Sequence, residues 1–94
     1  MPVRIHFDPV KNERNLRDRG LSFERATEFD FATALVGVDD RNEYGEVRYV
    51  ALGMLAERLH VLCFTEVPDG IRVISFRKAN SREVARYAKV QATD

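Results

Sequence analysis

Apolar and polar positions change period several times along the chain, and each change marks an element. Val3 to Phe7 is short and carries β-branched residues, the composition of an edge strand. Asp8-Pro9 then gives a helix start. The Asp8 carboxylate is placed to cap free N–H groups, and proline fits the first helical position, where no donor is needed. The helix should reach about Arg19 and stop at Gly20, with Arg17 and Arg19 complementing the negative end of its dipole. Its apolar positions are chiefly Val10 and Leu16, which places it on the surface. Ser22 restarts helix, with Glu24 in the first turn and Phe23, Ala26 and Phe29 facing inward. So short a connection makes a corner, with Phe23 as its anchor.

Ala34 to Val38 reads as a short strand before the acidic, turn-rich D-D-R-N-E-Y-G. Val47 to Met54 alternates Val47, Tyr49 and Ala51 against Arg48, Val50 and Leu52. Leu59 to Thr65 is apolar on both faces, hence central. Ile71 to Arg77 follows V-P-D-G, a tight-turn signal, and short connections make these three strands an antiparallel meander. The last helix opens at Asn80, with Glu83 as its capping-box partner. It should run to about Val90, turning Val84 and Tyr87 or Ala88 inward and Arg82, Arg86 and Lys89 outward. The order β-α-α-β-β-β-β-α predicts one α+β domain over residues 1–94, with helices packed on an antiparallel sheet.

Composition agrees with that reading and narrows the function. The chain has 94 residues, 45% hydrophobic and 32% charged, as in a globular domain rather than a disordered one. No apolar run approaches the roughly 20 residues that span a bilayer. The start M-P-V-R-I-H lacks the apolar core of a secretory signal, so a cytoplasmic protein with no membrane partner is expected. The single cysteine, Cys63, lies in the apolar run L-H-V-L-C-F and reads as buried and structural. Net charge is zero, but it is segregated. Glu24 to Glu46 carries seven acidic and two basic residues. Ile71 to Lys89 carries six basic residues (Arg72, Arg77, Lys78, Arg82, Arg86, Lys89) against Glu83 alone. The basic side is the candidate surface for a polyanion or an acidic partner.

Metal chemistry is not expected, because His6 and His60 stand far apart and no cysteine pair or calcium-loop spacing is present. Glycine-rich phosphate loops are absent as well. The remaining set, arginines and lysines with a tyrosine and few carboxylates, suits binding a phosphodiester and stabilising charge that develops on its oxygens. RNA brings its own nucleophile, the 2′-hydroxyl, so an enzyme acting on it needs positioning, charge stabilisation and modest proton transfer. Strict alternation puts Arg72 and Arg77 on opposite strand faces, so they share a site only if one lies at the strand end, as Arg77 does. Arg72 is then a second phosphate clamp or a salt-bridge partner of Glu46 or Glu66. Tyr87 reads first as a core aromatic, with a hydroxyl that would reach the site from the helix. His60 reads as a satisfied sheet histidine.

Three stretches together resemble the BrnT family of toxins, the ribonuclease halves of bacterial type II toxin–antitoxin pairs. The front resembles the family opening at Asp8, Pro9, Lys11, Asn15, Gly20, Ser22, Phe23, Glu24 and Ala26. In the middle, G-E-V-R at Gly45 to Arg48, with the later Gly53, resembles the family's strand entry. At the end, I-R-V-I-S-F-R-K-A followed by Glu83 and Tyr87 resembles its closing signature. The resemblance implies a RelE-like fold and a metal-independent endoribonuclease, without cofactor, that shuts down translation. It also implies a BrnA-type antitoxin that neutralises the toxin and carries the contact with DNA. On this reading Arg48, Arg72, Arg77 and Tyr87 are the catalytic candidates. Lys11, Arg19, Lys78, Arg82 and Arg86 are the RNA-binding candidates. The family's histidine before the first glycine is Arg19 here; a guanidinium stays charged and does not transfer protons, but it does hold a phosphate. Asp18, Phe7 and Phe31 also stand where the family has lysine, often tryptophan, and proline. The rival reading is a catalytically weakened binding module, whose basic face docks an antitoxin or RNA without cleavage.

Overall fold

The computed structural model describes residues 4–41, 43 and 45–92. Strand β1 (Arg4–Phe7) leads straight into helix α1 (Pro9–Arg19). Asp8 accepts the Val10 N–H at 2.9 Å. Gly20 closes the helix in the left-handed conformation, φ 66°, which a residue without Cβ adopts at little cost, and donates to the Leu16 carbonyl. The second helical stretch, Phe23–Glu28, is where the sequence places it but is wound as a 3-10 helix. Ser22 caps it by accepting the Glu24 N–H. Asn12 Oδ1 accepts the Phe23 N–H at 2.7 Å and so pins the corner to α1. Phe23, 1% exposed, is the anchor, with its ring edge-on to Phe7.

The remaining elements are β2 (Leu35–Asp39), β3 (Arg48–Leu55), β4 (Arg58–Val67), β5 (Gly70–Lys78) and helix α2 (Ser81–Ala92). The five strands lie in the order β1-β5-β4-β3-β2. Strands β2 to β5 form an antiparallel meander, but β1 pairs with β5 in parallel, Arg4 opposite Gly70 and Phe7 opposite Val73. The sheet is therefore mixed, with β1 at the expected edge. The Pro68–Asp69 turn holds β1 there: the Asp69 carbonyl accepts the Arg4 N–H, and its carboxylate lies 2.8 Å from His6 Nε2. Val3, expected in this strand, and Asn42 and Tyr44 of the expected turn-rich stretch lie outside the described residues.

Both faces of β4 are covered, as its apolar run demands. On one face Leu62, Phe64, Val73 and Phe76 pack with Leu21, Phe23, Ala26 and Phe29. On the other, Leu52, Leu59, Val61 and Ala79 form a smaller cluster, with Tyr87 half-buried against it. Gly53 has no room for a side chain, since an added Cβ would strike the Phe29 ring and crowd Ala34. Gly53→Ala should lower stability by about 1–3 kcal/mol through overpacking, read as a lower urea midpoint at unchanged m.

One irregularity revises the alternation in β5. Cys63 pairs with Ser75 but Phe64 pairs with Val73, so Ile74 is an extra residue in that strand. A bulge of this kind inverts the in–out alternation beyond it. Val73 and Phe76, three positions apart, both join the larger core. By the same inversion Arg72, Ser75 and Arg77 share the opposite face.

The two helices meet the sheet differently. Strand β1 stops opposite Val73, so the second half of β5 has no strand neighbour on that side. Helix α1 covers the open edge: the buried Asn15 amide donates to the Leu21 and Phe76 carbonyls, both at 2.9 Å. Helix α2 is capped reciprocally by Asn80 and Glu83, as the sequence predicts. Its expected inward face is only partly covered, however. No residue of α2 is fully buried, Val84 is 45% exposed, and Ala88 is exposed beside an open groove of about 570 Å³ that Met54 and Leu59 also line. Among the described residues no helix is long and apolar enough to cross a membrane.

Candidate functional site

Arg48 and Arg72 meet at one end of the smaller-cluster face. Arg72 donates to both Glu46 oxygens at 2.8 Å, and Arg48 Nε donates to Glu46 Oε2 at 3.2 Å. The Arg72 hydrogen bonds, with those of Arg48 behind them, hold the Glu46 carboxyl below the usual carboxylate range. Of the two readings of Arg72, the salt bridge to Glu46 is what the fold forms.

Arg77 lies further along the same face of β5, five positions from Arg72, or roughly 15 Å at the usual strand rise. Its two terminal nitrogens each donate to a Glu83 oxygen at 2.8 Å, a two-pronged pair. Glu83 also accepts the Asn80 N–H that starts α2. The Arg77 bonds above all bring the Glu83 carboxyl down to about 2. Between Arg77 and β2 runs a groove of about 350 Å³, lined by Asp39, Asp40, Arg41, Val50, Val61, Cys63, Ser75 and Glu83. Burial and the nearby Asp39 charge push the Cys63 thiol up, which makes it a poor nucleophile, in line with the structural role expected of it. The three candidate arginines thus share a face but form two clusters, too far apart for one phosphate and suitably placed for successive parts of an extended chain.

Tyr87, one turn of α2 beyond Glu83, lines neither the groove nor the cleft beside Arg77. Its hydroxyl donates to the Thr33 carbonyl at 3.2 Å, next to Gln91 Nε2 on the same acceptor, and its ring packs on the Leu52–Leu59 cluster. The core-aromatic reading describes its position.

On the other side of Arg77 the chain builds a more basic surface. A cleft of about 550 Å³ is lined by Arg19, Gly20, Leu21, Arg25, His60, Arg77 and Lys78. A second of about 260 Å³ adjoins it, lined by Lys11, Arg14, Asn15, Asp18, Arg19, Phe23, Ile74 and Ser75. Arg19 borders both, so Lys11, Arg19, Lys78 and Arg77 form a continuous track across the α1–β5 junction that Asn15 holds together. Arg82 and Arg86 are on the exposed side of α2 and line neither cleft. Sequence reasoning passed over Arg14 and Arg25. Arg14 shares a helix face with Lys11 at i, i+3 spacing, a usable signal. Arg25 lies in the acidic stretch and pairs with Glu28 at 3.2 Å, so the local charge balance hid it.

No curated protein matches the chain. The family model described as "Ribonuclease toxin, BrnT, of type II toxin-antitoxin system" matches residues 7–83. That span runs from the end of β1 to the first turn of α2 and contains Glu46, both arginine clusters and the whole basic track. The chain belongs to the BrnT family of ribonuclease toxins of type II toxin–antitoxin systems.

Proposed function

We propose that this chain is a metal-independent endoribonuclease that cuts cytoplasmic RNA, halts translation and is neutralised by a BrnA-type antitoxin, through which alone it meets DNA. The observation that carries the reading is the cleft at the α1–β5 junction. Four cationic residues border it, and among the described residues no carboxylate lines it. Such a site attracts a phosphodiester and stabilises negative charge that grows on its oxygens as the 2′-hydroxyl attacks. On this reading Arg77 stabilises that charge, Arg19 and Lys78 hold the phosphodiester in the same cleft, and Lys11 holds a neighbouring phosphate. Arg48 and Arg72 continue the contact along the sheet, and Arg82 and Arg86 extend it on α2.

A second reading, binding without cleavage, has one specific observation in its favour. Arg72 and Arg77 already spend their best-directed donors on Glu46 and Glu83. Substrate would have to compete for those donors, whereas an acidic antitoxin segment could dock on the remaining cations. Expression separates the two. Induced alone, the wild-type chain should arrest growth and deplete RNA, and co-expression of its antitoxin should restore both. Folded protein that leaves growth and RNA untouched would favour the binding reading.

A further inference from the structure

We propose that His60 is the proton-transferring group of this reaction, with the scissile phosphodiester held in the α1–β5 cleft by Arg19 and Lys78. This rests on the endoribonuclease reading above. His60 is the third residue of β4, 4% exposed, its ring 5.6 Å from that of Phe76 at the floor of the cleft. Its Nδ1 lies 2.8 Å from the Arg58 carbonyl oxygen. A carbonyl only accepts, so Nδ1 carries the hydrogen and the neutral ring keeps its lone pair on Nε2. Nε2 has no hydrogen-bond partner among the described residues. Yet among the described residues no buried side-chain nitrogen or oxygen goes unsatisfied. Nε2 therefore opens on the cleft rather than into the core.

The surroundings keep that lone pair available. Burial first, then the charges of Arg58, Lys78 and Arg25, favour the neutral imidazole, against the opposing effect of the Arg58 carbonyl bond. These groups come from β4, β5 and the 3-10 helix, and Arg19 adds a cation from α1. No carboxylate among the described residues lines the cleft, and those that pair with its arginines, Glu28 and Glu83, are engaged by Arg25 and Arg77. The cations that keep His60 neutral are also those that attract a phosphate, so base and anion site coincide.

In the reaction Nε2 takes the proton of the 2′-hydroxyl as the 2′-oxygen bonds to phosphorus. The bond from phosphorus to the 5′-oxygen breaks, and that oxygen leaves with a proton from solvent water. The imidazolium then returns its proton to solvent. The products are a 2′,3′-cyclic phosphate and a 5′-hydroxyl, with no oxidant, reductant or metal required.

His60→Asn tests the assignment, because its amide keeps a donor for the Arg58 carbonyl while Nε2 is lost. Under single-turnover conditions the variant should cleave about 10²–10³-fold more slowly than wild type, with RNA binding retained. The wild-type rate should fall on the acid side as His60 becomes protonated, and the variant should lose that limb. His6→Asn, which removes the other histidine from its surface pair with Asp69, should leave cleavage unchanged. Wild-type-like rates and pH profile in folded His60→Asn would overturn this proposal alone. A wild-type chain that cuts no RNA would overturn the function and this assignment together. If the variant does not fold, the wild-type protein decides: the ¹⁵N resonance of His60 Nε2 should move on addition of an uncleavable 2′-O-methyl oligonucleotide. A resonance unmoved at saturation counts against the site.

Discussion

Arg77→Ala should reduce RNA cleavage by about 10²–10³-fold and abolish growth arrest, the loss seen when one preorganised donor to a developing oxyanion is removed. The size follows from its position. Arg77 borders both the β2-side groove and the α1-side cleft, and its guanidinium is fixed by two 2.8 Å bonds to Glu83. Arg77→Lys should recover little, since a single ammonium keeps the charge without the planar fork. The same substitution leaves a signature in folding. The Glu83 carboxyl, normally near 4.5, sits at about 2 because Arg77 bonds it. A carboxyl lowered by folding contributes stability above its unfolded value, and that contribution fades as pH falls from about 4.5 toward about 2. Melting temperatures at neutral pH and near pH 3 should therefore differ more for wild type than for Arg77→Ala. Glu83→Gln separates the two roles: it removes the pH effect while leaving Arg77 in place for RNA.

Asn15→Ala should destabilise the fold by about 2–4 kcal/mol, as expected when two buried carbonyls lose their donor. One amide group serves both, Leu21 at the corner after α1 and Phe76 on the open edge of β5. Without it, the Phe76 carbonyl on the edge left bare by the short β1 keeps only the long 3.5 Å bond from Arg19, and the α1–β5 junction that aligns Lys11 and Arg19 loosens. Urea unfolding at unchanged m checks the size of the effect. A loss below about 0.5 kcal/mol, the range of ordinary surface changes, would mean that α1 is held elsewhere.

Local signals were legible in the sequence because their chemistry lies within a few residues. The Asp8 and Asn80 caps, the Gly20 stop, the Pro68–Asp69 turn and the central position of β4 all stand where the residues place them. Non-local geometry was not. Nothing in Arg4–Phe7 states that it will lie parallel to β5, because the partner is chosen through the Asp69 turn at the far end of the chain. The bulge at Ile74 has no signature either, since Ile-Ser-Phe fits a regular strand. Strict alternation therefore put Arg72 and Arg77 on opposite faces, and one extra residue brings them together. Arg72 did pair with Glu46, one of the two acids expected. Tyr87 was legible as a core aromatic, and its hydroxyl is taken up by Thr33. Helix α2 carries the pattern of an inward face, but only part of that face finds cover. His60 looked like part of an apolar run, and only the arrival of α1 and Lys78 turns its ring edge into a cleft wall.

Metal-free attack by the 2′-hydroxyl leaves a chemical record, which end-group analysis reads on RNA incubated with the purified chain in the presence of EDTA. Cleavage should survive the chelator and leave 2′,3′-cyclic phosphate and 5′-hydroxyl ends. Intact RNA with folded protein, or cleavage that EDTA abolishes, would contradict the mechanism.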